Sequence, residues 1–184
     1  MWGCIVGRSG VSSPQRAGVE GLLPLLHLGS VNKLGVKVVP FRGTFDHTLD
    51  AKNRLTVPAR YRAALAEGVV LAMPLDQKPC VGIWRPDEYE RYSRRALAEL
   101  EPLSPRLSEL ERFFYGSSQD ADLDAAGRIM VPGFLGDHAG LHKEVVVVGV
   151  GDRLELWDRG RWNEHRPTLL GGVAAITASV DDPA

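Results

Sequence analysis

Apolar and polar positions follow the same order in two stretches of the chain that lie 74 residues apart. Residues 49–58 read LDAKNRLTVP, and residues 123–132 read LDAAGRIMVP. Both copies contain Leu-Asp, three variable positions, Arg, an apolar residue, one variable position and Val-Pro. A repeat at fixed spacing indicates that one supersecondary unit occurs twice, so the two copies must be interpreted together.

The pattern around the first copy predicts a mainly β unit. Runs rich in β-branched and apolar residues predict strands, and these runs lie at 43–49, 54–57, 69–73 and 80–84. A proline followed by helix formers or by acidic residues predicts the start of a helix. One helix should follow Pro58 and end before Gly68, and another should begin at Pro86. The run 69–73 lacks polar alternation, so we expect it to be buried on both faces.

The segment between the first two strands has the composition of a turn. Asn53 in the first copy and Gly127 in the second occupy the same position. Both residue types tolerate a positive φ angle, so the repeat predicts a left-handed backbone conformation there. The side chains of Asp50 and Asp124 can cap such a turn by accepting backbone N–H groups. We interpret these four residues as turn-forming residues that each copy needs in order to fold.

The second unit repeats this order after a connector. Its alignment with the first places Tyr115 opposite Phe41, and Ser104 is expected to cap a helix running to about Phe114. One unit alone is too small to bury its apolar strands, so we predict an α+β, mainly β fold with two units in pseudo-twofold tandem and peripheral helices. The expected boundaries are a disordered leader or a later translation start over 1–40, a first unit over 41–101, a connecting helix over 102–114, a second unit over 115–167 and a disordered tail over 168–184.

Composition adds little to this picture. The 184 residues are 44% hydrophobic and 24% charged, as in an ordinary soluble globular protein. The net charge of −1 means that any nucleic-acid site must be a local patch. Cys4 and Cys80 form no paired motif, which fits a reducing cytoplasm. The longest apolar runs are too short to span a bilayer.

No arrangement typical of an enzyme is present in the sequence. Phosphate-loop and nucleophile-elbow motifs are absent, so no catalytic residue, cofactor or small-molecule substrate is expected. His138 and His142 are four residues apart, but they lack an accompanying carboxylate motif and are better interpreted as surface histidines. We therefore expect no metal site.

The repeated Asp-x-x-x-Arg motif has two interpretations. It can be structural, because Asp can cap the turn and Arg can pair with that Asp. The charges around the first copy favour a phosphate-contacting surface instead. Residues 41–62 carry a net charge of +3, whereas the equivalent residues 115–136 carry −2. Only the first turn is therefore expected to lie in a positive environment.

These motifs resemble those of the bacterial MraZ family, over about residues 40–165. Two correctly spaced copies make the resemblance specific. The segments that carry it are Phe41-Arg42-Gly43-Thr44, residues 49–62, Asp124 to Arg128, residues 141–145 and residues 154–158. The chain departs from the family at Asn53, where glycine is common, and over residues 1–40, which have no counterpart in the family.

The resemblance implies two AbrB-like (SpoVT-AbrB) swapped-hairpin β units assembled into a ring-shaped homo-oligomer. It also implies a transcriptional regulator, usually a repressor, of the division and cell-wall gene cluster that includes its own gene. Such a protein would bind short direct repeats in its promoter and associate with the nucleoid, without a membrane.

The resemblance points to particular DNA-binding residues. Lys52 and Arg54 come first, and Arg128 is their counterpart in the second copy. Charge alone adds Arg42, Arg60 and Arg62. An alternative from another class is an oligomeric protein-interaction scaffold whose basic patch binds an acidic partner.

Overall fold

The elements of the first copy appear in the predicted order. The computed structural model describes residues 40–98, 100–102 and 104–180, without the side chains of residues 174–180. The elements of the first copy are β1 (Phe41–Thr48), β2 (Arg54–Thr56), α1 (Ala59–Arg62), β3 (Val69–Ala72), β4 (Cys80–Trp84) and α2 (Pro86–Leu97). A short 3₁₀ turn, Ala63–Leu65, continues α1, and Gly68 follows it with a φ angle of 104°.

The second copy follows the same order after a connecting helix. Its elements are α3 (Pro105–Gly116), β5 (Ser118–Ala121), β6 (Arg128–Met130), α4 (Gly133–Ala139), β7 (Glu144–Gly151), β8 (Arg153–Asp158) and α5 (Arg159–Val180). The hydroxyl of Ser104 accepts a hydrogen bond from the backbone N–H of Leu107 at 3.2 Å, as expected of the cap of α3.

The described strands form a six-stranded antiparallel sheet in the order β1-β7-β8-β4-β3-β5. The equivalent strands of the two copies are β1 and β5, β3 and β7, and β4 and β8. Each pair lies at equal distances from the two edges of the sheet, so the strand order is symmetric about its centre. The first strand of each copy pairs with the third strand of the other copy, since β1 pairs with β7 and β5 pairs with β3. The predicted mainly β fold with two units in pseudo-twofold tandem is therefore confirmed, and the structure shows in addition that the two units exchange strands.

The remaining two strands, β2 and β6, form a separate antiparallel ribbon. Leu55 lies directly opposite Ile129, which is its counterpart in the repeat. The backbone N–H of Val57 donates to the carbonyl of Gly127, and that of Val131 donates to the carbonyl of Asn53, both at 2.9 Å. The ribbon thus extends into both turns, and the pseudo-twofold axis passes between Leu55 and Ile129.

One face of the sheet packs against the inner face of this ribbon. Leu55, Val57 and Ile129 are fully buried there, and Val131 is 3% exposed. Their partners in the same cluster are apolar side chains on β3, β4, β7 and β8, namely Val69, Leu71, Val81, Ile83, Val145, Val147, Leu154 and Leu156. Removing these side chains from water is the main force that holds the ribbon in place.

The other face of the sheet is covered by helices. Trp84 and Val70 pack with Tyr89 of α2 and Phe114 of α3. Val146 and Trp157 pack with Trp162 of α5. Strand β3 is buried at every position, as its unbroken apolar run predicts. The arginines on the outer face of α2, including Arg94, are exposed to solvent.

Two details differ from the sequence expectation. Tyr115 lies in the last turn of helix α3 and is 62% exposed, whereas its counterpart Phe41 is buried in β1, because α3 occupies the residues that would otherwise lengthen β5. The tail predicted to be disordered from residue 168 continues helix α5 to Val180. Leucine and alanine residues after Pro167 favour this continuation, although Gly171 and Gly172 lie within it. The predicted leader falls on residues outside those described, apart from Pro40, and so do the last four residues.

Candidate nucleic-acid interface

The first turn is held by the carboxylate of Asp50. Its Oδ1 accepts the backbone N–H groups of Lys52 at 2.8 Å and Arg54 at 3.0 Å. The backbone N–H of Asn53 donates to the carbonyl of Asp50 at 2.9 Å, and Asn53 has a φ angle of 54°. An aspartate that accepts the N–H two residues onward forms an Asx turn, which places the next arginine back beside its own carboxylate.

The second turn has the same geometry. Oδ1 of Asp124 accepts the backbone N–H groups of Ala126 at 2.9 Å and Arg128 at 3.0 Å. The N–H of Gly127 donates to the carbonyl of Asp124 at 2.8 Å, and Gly127 has a φ angle of 72°. Both turns therefore use the left-handed conformation that the repeat predicts.

Each arginine pairs twice with the aspartate of its own turn. Nε and Nη2 of Arg54 both lie 2.7 Å from Oδ2 of Asp50. Nε and Nη2 of Arg128 both lie 2.8 Å from Oδ2 of Asp124. Two oriented N–H groups on one carboxylate make a charge-assisted contact stronger than a neutral hydrogen bond.

The two pairs also meet across the pseudo-twofold axis. Nη1 of Arg54 lies 3.7 Å from Oδ2 of Asp124, and Nη1 of Arg128 lies 3.9 Å from Oδ2 of Asp50. The side chains of the four residues remain 26% to 34% exposed. The turns thus form one plate of four alternating charges on the outer face of the ribbon, with no net charge of its own.

This arrangement changes the acidity of both carboxyl groups. Hydrogen bonds from the Arg54 side chain, and then from backbone N–H groups, lower the pKa of Asp50 from 3.8 to about 2. The side chain of Arg128 lowers the pKa of Asp124 in the same way. Both aspartates therefore stay ionised to a lower pH than an ordinary aspartate, and the plate keeps its charges there.

The six arginine and lysine residues expected to bind DNA fall into two groups. Lys52, Arg54 and Arg128 belong to the turns, and Lys52 is exposed. Arg62 reaches the plate from α1, where its Nε donates to the carbonyl of Val57 at 3.0 Å.

Arg42 and Arg60 lie instead around Tyr61. The hydroxyl of Tyr61 accepts the backbone N–H of Arg42 at 2.8 Å and donates to its carbonyl, while the guanidinium of Arg60 lies 5.1 Å from the centre of the Tyr61 ring. Both arginine side chains are exposed.

Other candidate groups have local partners. His138 contacts the carbonyl of Lys78 at 3.0 Å, and Nδ1 of His142 lies 3.1 Å from Oδ2 of Asp158. Among the described residues, no group of three or more His, Cys, Asp and Glu side chains is placed to hold a metal ion. None of the described helices is long and apolar enough to cross a membrane.

Sequence reasoning missed the contacts between the turns. The pairing of Arg54 with Asp124 depends on the register of β2 and β6, which local pattern does not specify. Another contact between the copies, that of Arg62 with Gly127, did leave a signal in the sequence. At the same repeat offset, Asn53 is replaced by Gly127 and Arg62 is replaced by Gly136. The side chain of Arg62 fills the space that Gly127 leaves open, so these two exchanges together indicate one contact between residues 62 and 127.

Comparison with known proteins adds an independent finding. The family model described as "MraZ protein, putative antitoxin-like" matches residues 41–107 and 114–168. Three similar proteins each carry the name "Transcriptional regulator MraZ". One from Hydrogenovibrio crunogenus is 35% identical over 138 residues, which cover 73% of this chain and 90% of the relative. One from Heliobacterium modesticaldum is 36% identical over 142 residues, covering 77% and 97%. One from Nocardioides sp. is 37% identical over 143 residues, covering 77% and 94%.

Proposed function

The chain belongs to the MraZ family, and we propose on that premise that it is a DNA-binding transcriptional regulator. The name of the three relatives supports regulation of transcription. The observation that carries the proposal is the plate of two linked Asp–Arg turns on the outer face of the ribbon.

The plate is suited to contact a phosphate backbone for two reasons. Its inner side is fixed in the core through Leu55 and Ile129, so its outer groups need little further ordering on binding. Its outer side presents Lys52 and the partly exposed guanidinium groups of Arg54 and Arg128. Most protein–DNA hydrogen bonds go to phosphate and sugar, and arginine and lysine supply many of them.

The modest number of cations leads to a finer proposal. One chain with a net charge of −1 and a small basic surface would bind DNA weakly. Several copies tied together gain affinity, because later contacts become intramolecular. We therefore propose a ring-shaped homo-oligomer that binds short direct repeats. It would act in the cytoplasm, on the nucleoid, as a repressor of the division and cell-wall gene cluster that includes its own promoter.

A second candidate function is an oligomeric scaffold that binds an acidic protein. The exposed Lys52 beside the partly exposed Arg54 and Arg128 supports it, because these groups can pair with the carboxylates of a protein as well as with phosphates. DNA and an acidic protein can be distinguished directly by binding measurements with the DNA upstream of the gene.

The test uses fluorescence anisotropy with labelled upstream DNA at several salt concentrations. Binding of the wild-type protein should fall steeply with salt, because phosphate contacts release counterions. Arg54→Gln should weaken binding strongly and leave the oligomer intact. Arg94→Gln is the matched control, because Arg94 is exposed on α2 and pairs only with Glu90 among the described residues.

Asp50→Asn separates a DNA contact from a structural pair. Its side-chain oxygen can still accept the turn N–H groups, while the guanidinium of Arg54 loses its nearest carboxylate and keeps only that of Asp124, at 3.7 Å. If Arg54 contacts phosphate, Asp50→Asn should bind DNA at least as tightly as the wild-type protein. Equally weakened binding in Asp50→Asn and Arg54→Gln would show that the pair only holds the turn.

A further inference from the structure

The two turns differ in what lies against them. A Cβ atom on Gly127 would lie 2.5 Å from Nε and 3.0 Å from Cζ of Arg62, so the guanidinium of Arg62 packs directly on the second turn. The second copy has Gly136, which lacks a side chain, in place of Arg62, and the first turn has the exposed Asn53 in place of Gly127. Glycine at position 127 therefore makes room for an arginine that the first turn does not meet.

Several contacts fix Arg62 in this place. The neighbouring Tyr61 is 3% exposed, and its hydroxyl is hydrogen-bonded to the backbone of Arg42 on β1. This holds α1 against the sheet. Nε of Arg62 donates a hydrogen bond to the carbonyl of Val57. The backbone N–H of Val57 in turn donates to the carbonyl of Gly127. The Nη1 and Nη2 atoms of Arg62 form no hydrogen bond or ion pair with any described residue, so they remain available to a ligand.

The acidic residues of the second copy do not surround this turn. Asp124 is paired with Arg128. Asp120 lies on β5 at the edge of the six-stranded sheet, opposite Val70. Asp122 lies near Gly68, since its Oδ1 is 3.4 Å from the Cβ position of that glycine. The net charge of −2 counted along the sequence is therefore not the local charge at the second turn.

The folded chain instead gives both turns the same local charge. Each has one neutral Asp–Arg pair and one further cation that forms no ion pair within the described residues. At the first turn that cation is Lys52, which belongs to the turn. At the second turn, where Ala126 replaces Lys52, the cation is Arg62, supplied by α1 of the other copy.

We propose that Arg62 and Arg128 make the second turn a phosphate-binding site for the DNA backbone, matched to the site that Lys52 and Arg54 form at the first turn. Each chain would then contact DNA at two points related by the pseudo-twofold axis. This inference rests on the proposed DNA-binding function. Gly127 has a positioning role, because any side chain there would displace Arg62.

The first test compares Arg62→Gln, Lys52→Gln and Arg94→Gln by salt-dependent anisotropy with the same upstream DNA. Arg62→Gln and Lys52→Gln should weaken binding by similar factors. Each should also lower the salt slope by about 1 for every phosphate that the variant no longer neutralises. Free phosphate at matched ionic strength should not displace the DNA. The inference is wrong if Arg62→Gln behaves like Arg94→Gln while Lys52→Gln weakens binding.

The second test gives the second turn the asparagine of the first turn. Asparagine adopts the left-handed conformation at position 53, so Gly127→Asn should keep the turn while displacing Arg62. It should weaken DNA binding as much as Arg62→Gln does, and it should weaken binding no further in the Arg62→Gln background. Arg94→Gln is the control here too, because Arg94 lies on α2 away from both turns, and it should bind like the wild-type protein. Additive effects in the double variant would overturn the positioning role of Gly127.

Failures of the two proposals can be told apart. If the wild-type protein does not bind upstream DNA, the proposed function and this inference both fail. If the wild-type protein binds and Arg62→Gln is as tight, only the second site fails. Circular dichroism and thermal unfolding of each variant establish that the fold is retained, and Arg62→Gln keeps the test valid if Gly127→Asn does not fold.

Discussion

Asp50 and Asp124 each use both carboxylate oxygens. Oδ1 accepts the N–H groups of the turn, and Oδ2 accepts the arginine of the same turn. The first role could be predicted from the sequence, because an aspartate three residues before Asn or Gly is a local turn signal. The contact of each aspartate with the other turn could not, because it depends on long-range strand register.

The acidity of Asp50 gives a residue-scale prediction. Its pKa in the folded protein lies near 2, below the ordinary 3.8, because Arg54 stabilises the ionised form. The stabilisation is complete above about pH 4 and is lost as the pH falls through the folded pKa. Carbon-detected NMR of the Asp50 carboxyl should show a midpoint near 2, and Arg54→Gln should raise it towards 3.8. A midpoint at the ordinary value in the native protein would contradict the paired geometry.

At the scale of elements, the ribbon of β2 and β6 joins the plate of Asp–Arg turns to the core. Strands, turns and most helices of the unit follow from local pattern, because apolar runs and Pro and Gly positions determine them. The short β5 and the long α5 do not, because α3 replaces the start of β5 and α5 extends past Pro167. In both places the surroundings of one copy in the folded chain differ from those of the other, so the element cannot be inferred from its counterpart in the repeat.

Symmetry about the ribbon predicts equal effects of two core substitutions. Leu55 and Ile129 are both fully buried and face each other on the axis. Leu55→Ala and Ile129→Ala should each lower the free energy of unfolding by about 2–5 kcal/mol, measured by chemical denaturation. Leu170→Ala is the control, because Leu170 is 61% exposed, and it should change stability by less than about 0.5 kcal/mol. A large cost for only one of the core variants would contradict the symmetric packing.

At the scale of the molecule, neither copy can complete its own sheet. The β1 strand pairs with β7 of the second copy, and β5 pairs with β3 of the first. We predict that the separate fragments 40–102 and 103–180 form no folded monomer. Mixing them should restore the β-sheet signal in circular dichroism. A monomeric, cooperatively unfolding first fragment would contradict the intertwined arrangement.

The same intertwining explains why charge counted along the sequence is misleading. The two cations at the turns that form no ion pair within the described residues, Lys52 and Arg62, both come from the first copy, yet Arg62 lies at the turn of the second copy. A window of sequence assigns Arg62 to the wrong turn, because the contact between α1 and Gly127 is made across the axis. The motifs are sufficient to identify the family, whereas the charge around each turn follows only from the folded structure.

Footprinting of the purified protein on the DNA upstream of its gene tests most directly whether the linked Asp–Arg turns bind DNA. The wild-type protein, Arg54→Gln and Arg94→Gln are compared at equal concentration. The wild-type protein should protect short, regularly spaced repeated blocks. That protection should disappear in Arg54→Gln and remain in Arg94→Gln. No protection by the wild-type protein, or equal protection by all three proteins, would contradict the claim that the linked Asp–Arg turns bind DNA.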